Sequence, residues 1–100
     1  MSGIKKGQIT SADNGTQVPT STGFTTSGPF DFSVLNGTTI SATLQKKSAL
    51  GNWVTIPQPD SRTTLSGADT FRVDYLQGGT FRIDVTTATG TWDWEAEENN

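Results

Sequence analysis

Asp74 and Asp84 are the carboxylates whose placement could support acid–base chemistry. They occupy matching positions in a near-repeat, Asp69-Thr70-Phe71-Arg72-Val73-Asp74 and Gly79-Thr80-Phe81-Arg82-Ile83-Asp84. A glycosidase pair needs a cleft and one carboxyl raised by an apolar setting. No carboxylate here sits in an apolar run, and each of these two is expected opposite an arginine. Ser11-Ala12-Asp13-Asn14-Gly15-Thr16 offers oxygen ligands but lacks the EF-hand spacing and closing glutamate, so it reads as a turn. The chain has no histidine and no cysteine. That excludes a His base, a Cys nucleophile, a thiolate metal site and a disulfide framework. No catalytic residue, metal or cofactor is expected.

Three tryptophans are the remaining residues with strong recognition chemistry. Trp53 opens an apolar strand and is expected between the sheets. Trp92 and Trp94 share one face of a final strand, opposite Thr91, Asp93 and Glu95. They either close the core or form an aromatic contact surface for sugar or protein. Asn14-Gly15-Thr16 and Asn36-Gly37-Thr38 match the glycosylation sequon, but Asn-Gly turn chemistry explains both.

The elements that must position these residues are β-strands. The 100 residues include 18 threonines, nine serines and 11 glycines, a β-branched and turn-rich composition. Phe30, Phe32 and Val34 alternate with polar residues, as do Ile40, Ala42 and Leu44. A three-residue turn ending on a left-handed Gly37 would set Phe32 opposite Ile40 and Phe30 opposite Ala42. In the near-repeat, a Gln77-Gly78-Gly79 turn would place Phe71, Val73 and Tyr75 beside Val85, Ile83 and Phe81. Arg72 would then face Asp84, and Asp74 would face Arg82. Trp53–Ile56 reads as a short strand stopped by Pro57, and Ser61–Leu65 as a weaker one. No window has a helical period. These signals predict an all-β fold, a small antiparallel β-sandwich of about seven strands with an extended N-terminal arm.

The arm is predicted over residues 1–27. It carries only Met1, Ile4, Ile9, Val18 and Phe24 as large apolar side chains, whereas residues 28–94 carry twenty. A domain boundary is expected near Gly28-Pro29, with one strand over Ile4–Thr10 and the arm either a disordered terminus or a segment that orders on a neighbouring subunit or partner. Ile4, Ile9, Val18 and Phe24 then become candidate contact residues, alongside Trp92 and Trp94. Residues 95–100 read as an acidic tail. The net charge is −3, split as +2 over residues 1–50 and −5 over 51–100. Neither half has a basic stripe, which argues against nucleic acid. No run approaches about 18 apolar residues, which argues against a membrane helix. The N-terminus lacks an apolar signal region, so synthesis in a cytoplasm is expected.

The stretch Ile40-Ser41-Ala42-Thr43-Leu44-Gln45-Lys46-Lys47-Ser48, followed by Gly51-Asn52-Trp53-Val54, resembles small β-sandwich structural proteins of tailed-bacteriophage virions. Those show a Thr-Leu-Gln-Arg-Ser strand, a Gly-rich turn and a Trp-Val strand. Thr80-Phe81-Arg82-Ile83 is similar to their closing Phe-or-Tyr-Arg hairpin, and Thr89-Gly90-Thr91 to their last turn. The likeness covers about residues 27–94. Lys46 stands where arginine is usual, and Ala49-Leu50 replaces the usual Asp/Gly turn. The resemblance implies a non-enzymatic virion component, either a head decoration or cement protein or a part of a fibre or tail. It implies contact with the major capsid protein or other virion proteins and a homo-oligomer, with a trimer favoured. A carbohydrate- or receptor-binding module of a fibre is the alternative.

Overall fold

Strand alternation decides which side chains this chain buries. A computed structural model describes residues 3–19 and 23–98. Nine strands form: β1 (Gly3–Ile9), β2 (Thr16–Val18), β3 (Phe24–Thr26), β4 (Phe30–Leu35), β5 (Thr39–Lys47), β6 (Trp53–Thr55), β7 (Asp69–Val73), β8 (Gly79–Thr89) and β9 (Trp92–Glu98). The only helical piece among the described residues is a 3-10 turn at Ser11–Asp13. Its Thr10 hydroxyl and Asp13 carboxylate cap each other's backbone. The expected turn at 11–16 is therefore present.

The strands make two antiparallel sheets packed face to face. The front sheet has the order β1-β9-β4-β7. The back sheet has the order β2-β8-β5-β6, with β3 also paired to β8. Phe30, Phe32 and Val34 of β4 point inward with Trp92, Trp94 and Ala96 of β9. Ile40, Ala42 and Leu44 of β5 meet them with Phe81, Ile83 and Val85 of β8. The small antiparallel β-sandwich is thus the observed fold, with nine strands rather than seven.

Both expected hairpins are corrected. β4 pairs with β9 and β7, while β5 pairs with β8 and β6, so the chain crosses between sheets at residues 36–38. Phe32 faces Ala96 and Phe71, not Ile40. Asn36 supplies the left-handed residue, at φ 78°. Gly37 is needed for a different reason: a Cβ there would overlap the Trp92 indole. The near-repeat also splits. β7 lies at the edge of the front sheet and β8 at the heart of the back one. Arg72 faces Asp31 in the β4–β7 register, and Arg82 faces Gln45 in the β5–β8 register. Alternation marks the buried face of a strand, but it is blind to whether that face closes a hairpin or crosses the sandwich.

The N-terminal quarter is corrected too. β1, one residue earlier than the expected Ile4–Thr10, pairs along its whole length with β9, from Gly3 opposite Glu98 to Ile9 opposite Trp92. β2 and β3 share one edge of β8, on either side of a cis Val18–Pro19 peptide. Ile9, Val18 and Phe24 are buried in the same core as Phe30 and Phe81, so no boundary falls at Gly28-Pro29. Few apolar residues suffice here because each of these strands buries only one or two. The acidic tail is likewise part of the sandwich through Glu98, as the C-terminal end of β9. Residues 1, 2, 20–22, 99 and 100 lie outside the described chain.

Trp53 and residues 61–65 complete the differences. Trp53 is half-buried on the outer face of the back sheet, not between the sheets. Residues 61–65 form a single bridge, with the Leu65 and Ala42 backbones exchanging hydrogen bonds of 2.7 and 3.1 Å.

Glu98 is a nearly buried carboxylate, with 8% of its surface exposed. It accepts hydrogen bonds from the Ser27 amide, the Ser27 hydroxyl (3.1 Å) and the Gly28 amide (3.3 Å), tying the β3–β4 connection to β9. Burial alone would raise its pKa. The hydrogen bonds from Ser27 and Gly28 and the Lys5 charge outweigh burial and hold the group below its ordinary 4.5. A carboxyl depressed in the folded state stabilises the fold above its unfolded pKa, and that stability is lost as pH falls through the folded value. Denaturant midpoints measured from about pH 7 to about pH 3 should therefore drop in the native protein and drop less in Glu98→Gln. Equal acid slopes in the two proteins would show that Glu98 carries none of the effect.

Candidate functional site

The candidate contact residues are not brought together on a surface. Ile9, Val18 and Phe24 are in the core, and only Ile4 is exposed, on the outer face of β1. Trp92 and Trp94 are 2% and 4% exposed. The Trp92 Nε1–H donates to the Thr39 carbonyl at 2.9 Å. The Trp94 ring stacks on Phe24 at 5.2 Å and lies against Gly7, where a Cβ would crowd it. Both tryptophans therefore close the core, and the aromatic platform expected of a sugar-binding face is not formed by them. Of the two readings open from sequence, the one in which they close the core is the one observed.

The charged residues of the near-repeat are dispersed. Arg72 forms an ion pair with Asp31 at 3.4 Å. Asp84 accepts a 2.9 Å hydrogen bond from the Gln17 side chain. Asp74 lies beyond β7, beside Pro57, Pro59 and Tyr75, along a groove of about 400 Å³. The two aspartates thus share no cleft. Among the described residues no cluster of His, Cys, Asp or Glu could hold a metal ion. No helix of the described chain is long and apolar enough to cross a membrane.

Two surfaces do gather chemistry. One is the outer face of the front sheet. The β1–β9–β4 registers place Ile4, Glu97 and Asp31 in one row and Lys6, Glu95 and Ser33 in the next. Gln8, Asp93 and Leu35 form a third. The second and third rows, with Asn36, line a shallow concavity of about 590 Å³. Asp93 is held in place by the Asn36 amide at 2.9 Å and the Gln8 amide at 3.3 Å. Those two hydrogen bonds lower its carboxyl below the ordinary range. The face is predominantly acidic.

The other surface is one end of the back sheet. Arg82 donates from Nε to the Gln45 side-chain oxygen at 2.7 Å, and its guanidinium lies 4.3 Å from the Trp53 ring centroid. Lys47 sits 6.0 Å from the same ring. On the inner side of β5, Lys46 sits 5.2 Å from the Tyr75 ring. Cation–π contact and a hydrogen bond hold Arg82 in one orientation, and its terminal NH groups have no partner among the described residues. This cluster was missed from sequence because Trp53 was assigned inward. The Lys46-Lys47 pair immediately before the Ser48–Asn52 turn is its available signal.

Collisional quenching checks the assignment of the rings. Iodide or acrylamide should reach Trp53 and leave the emission of Trp92 and Trp94 nearly untouched, so that Trp53→Phe removes most of the quenchable signal. A quenchable signal that persists in Trp53→Phe would place Trp92 or Trp94 at the surface. No known protein family, characterised protein or solved structure matches this chain.

Proposed function

We propose that the chain is a non-enzymatic structural protein of a tailed-bacteriophage virion, a head decoration or cement protein that binds the capsid surface. The observation that supports the reading is the sandwich itself. It carries largely polar outer sheet faces, while most of its large apolar side chains lie in the core. Residues resembling the phage proteins, Ile40–Ser48 and Thr80–Ile83, lie on adjacent paired strands of the back sheet. They therefore share a structural unit and are not scattered likenesses.

The mode of binding differs from the one expected of an arm. Residues 3–9, 16–18 and 24–26 are taken up by β1, β2 and β3, so attachment to the major capsid protein falls to the outer sheet faces. A folded domain that docks by preformed faces adds burial to both partners and stabilises the assembly by mass action. The carbohydrate- or receptor-binding alternative relied on exposed Trp92 and Trp94, and loses that support with both rings in the core.

Mass spectrometry of virions purified from the phage that encodes the chain tests the proposal. The chain should be present in a fixed ratio to the major capsid protein and be retained through density-gradient purification. Recovery of the chain only in the soluble lysate would overturn it.

A further inference from the structure

The free edges of both sheets are poor templates for strand addition. β1 carries Lys5 and Lys6, and Lys5 shares its strand face with Gly7 and the buried Ile9, an inward-side charge of the kind that blocks edge pairing. β6 is three residues long and soon followed by Pro57, and β2 is three residues long and followed by Pro19. Strand addition is thus disfavoured at β1, β2 and β6, and the sheet faces are where the two halves of the charge separate.

Lys47 and Arg82, with Lys46 beside them, form no ion pair among the described residues. The β5–β6 turn next to them ends in Leu50, which is 89% exposed. This makes a projecting tip with an apolar end and a cationic, tryptophan-backed base. Across the molecule, Asp93, Glu95 and Glu97 line one column of β9 and also form no ion pair among the described residues. They flank a concavity that has Leu35 in its lining, and Ile4 stands exposed beside Glu97. The tip and the concavity are opposite in charge, with Lys6 the one cation in the concavity's lining, and each carries an exposed apolar side chain. Each would repel a copy of itself, so an isologous contact is disfavoured and a head-to-tail one favoured.

We propose that copies of this chain associate head to tail, the Lys47–Trp53–Arg82 end of the back sheet of one copy seated on the acidic concave face of the front sheet of the next. The contact does not depend on the virion reading. It would act equally between subunits on any scaffold. Because the attraction is between exposed charges, it weakens as salt shortens the screening length from about 10 Å at 0.1 M to about 3 Å at 1 M.

Sedimentation of the full chain at low and high salt, with two charge-reversed variants, tests this. The native chain should form species larger than its 10.7 kDa monomer at low salt and return to monomer near 1 M salt. Arg82→Glu, or Lys47→Glu should the former misfold, should weaken association by roughly tenfold or more. Glu95→Lys combined with Glu97→Lys should do the same. Mixing the two classes of variant should restore association, because each retains the face the other has lost. Three results would overturn the proposal: a native chain monomeric at low salt, an oligomer unchanged by both reversals, or a mixture that stays monomeric. Retention of a monomeric native chain on heparin, lost in Arg82→Glu, would overturn it by assigning the cations to an anionic saccharide.

Discussion

The ring of Phe24 is where the two sheets are joined. It stacks on Phe81 of β8 at 5.7 Å and on Trp94 of β9 at 5.2 Å, and meets Phe30 of β4 edge-on at 5.8 Å. Those three partners come from the middle of the back sheet and the middle of the front sheet. Offset and edge-to-face contacts at these distances add about 0.5–1.5 kcal/mol per pair beyond the area buried. A residue from the apolar-poor first quarter thus fills the centre of the sandwich. Burial of Phe24 requires β3 to pair with β8, and the clamp of Glu98 on Ser27 and Gly28 then leads the chain into β4.

Strand positions were largely legible in the sequence, because Phe30/Phe32/Val34, Ile40/Ala42/Leu44 and Phe81/Ile83/Val85 alternate cleanly. Their partners were not. Phe71 and Phe81 sit in near-identical local sequences, yet one lies on an edge strand of the front sheet and the other on a central strand of the back. Cross-strand charge matching between Arg72 and Asp84 looked self-consistent, but Asp31 and Gln45 satisfy the two arginines equally well in the observed registers. Short-range parity therefore could not separate a hairpin from a sheet crossing. The N-terminal quarter was misjudged by counting apolar residues, when three of them, Ile9, Val18 and Phe24, each complete a core lined by other strands.

Function was less legible than fold. Trp92 and Trp94 were rightly placed on one face, and the structure shows it to be the inner one. Trp53, placed inward by its apolar neighbours, instead supports Arg82 on the outside. Half-buried tryptophans of this kind are ambiguous in sequence because one side packs on the sheet while the other serves a cation. The charge asymmetry between halves of the chain was visible in composition, but it became spatial only through the registers. β9 places Asp93, Glu95 and Glu97 on one outer face, and the β5–β8 pair places Lys47 and Arg82 on the outer face of the other sheet.

The central claim is that the first quarter of the chain belongs to the core. Equilibrium denaturation of Phe24→Ala measures it most directly. Removing a fully packed aromatic ring costs about 3–5 kcal/mol, so the variant should lose stability on that scale while keeping a cooperative transition or unfold outright. A change of less than about 0.5 kcal/mol, as for a side chain on a solvated arm, would contradict the account.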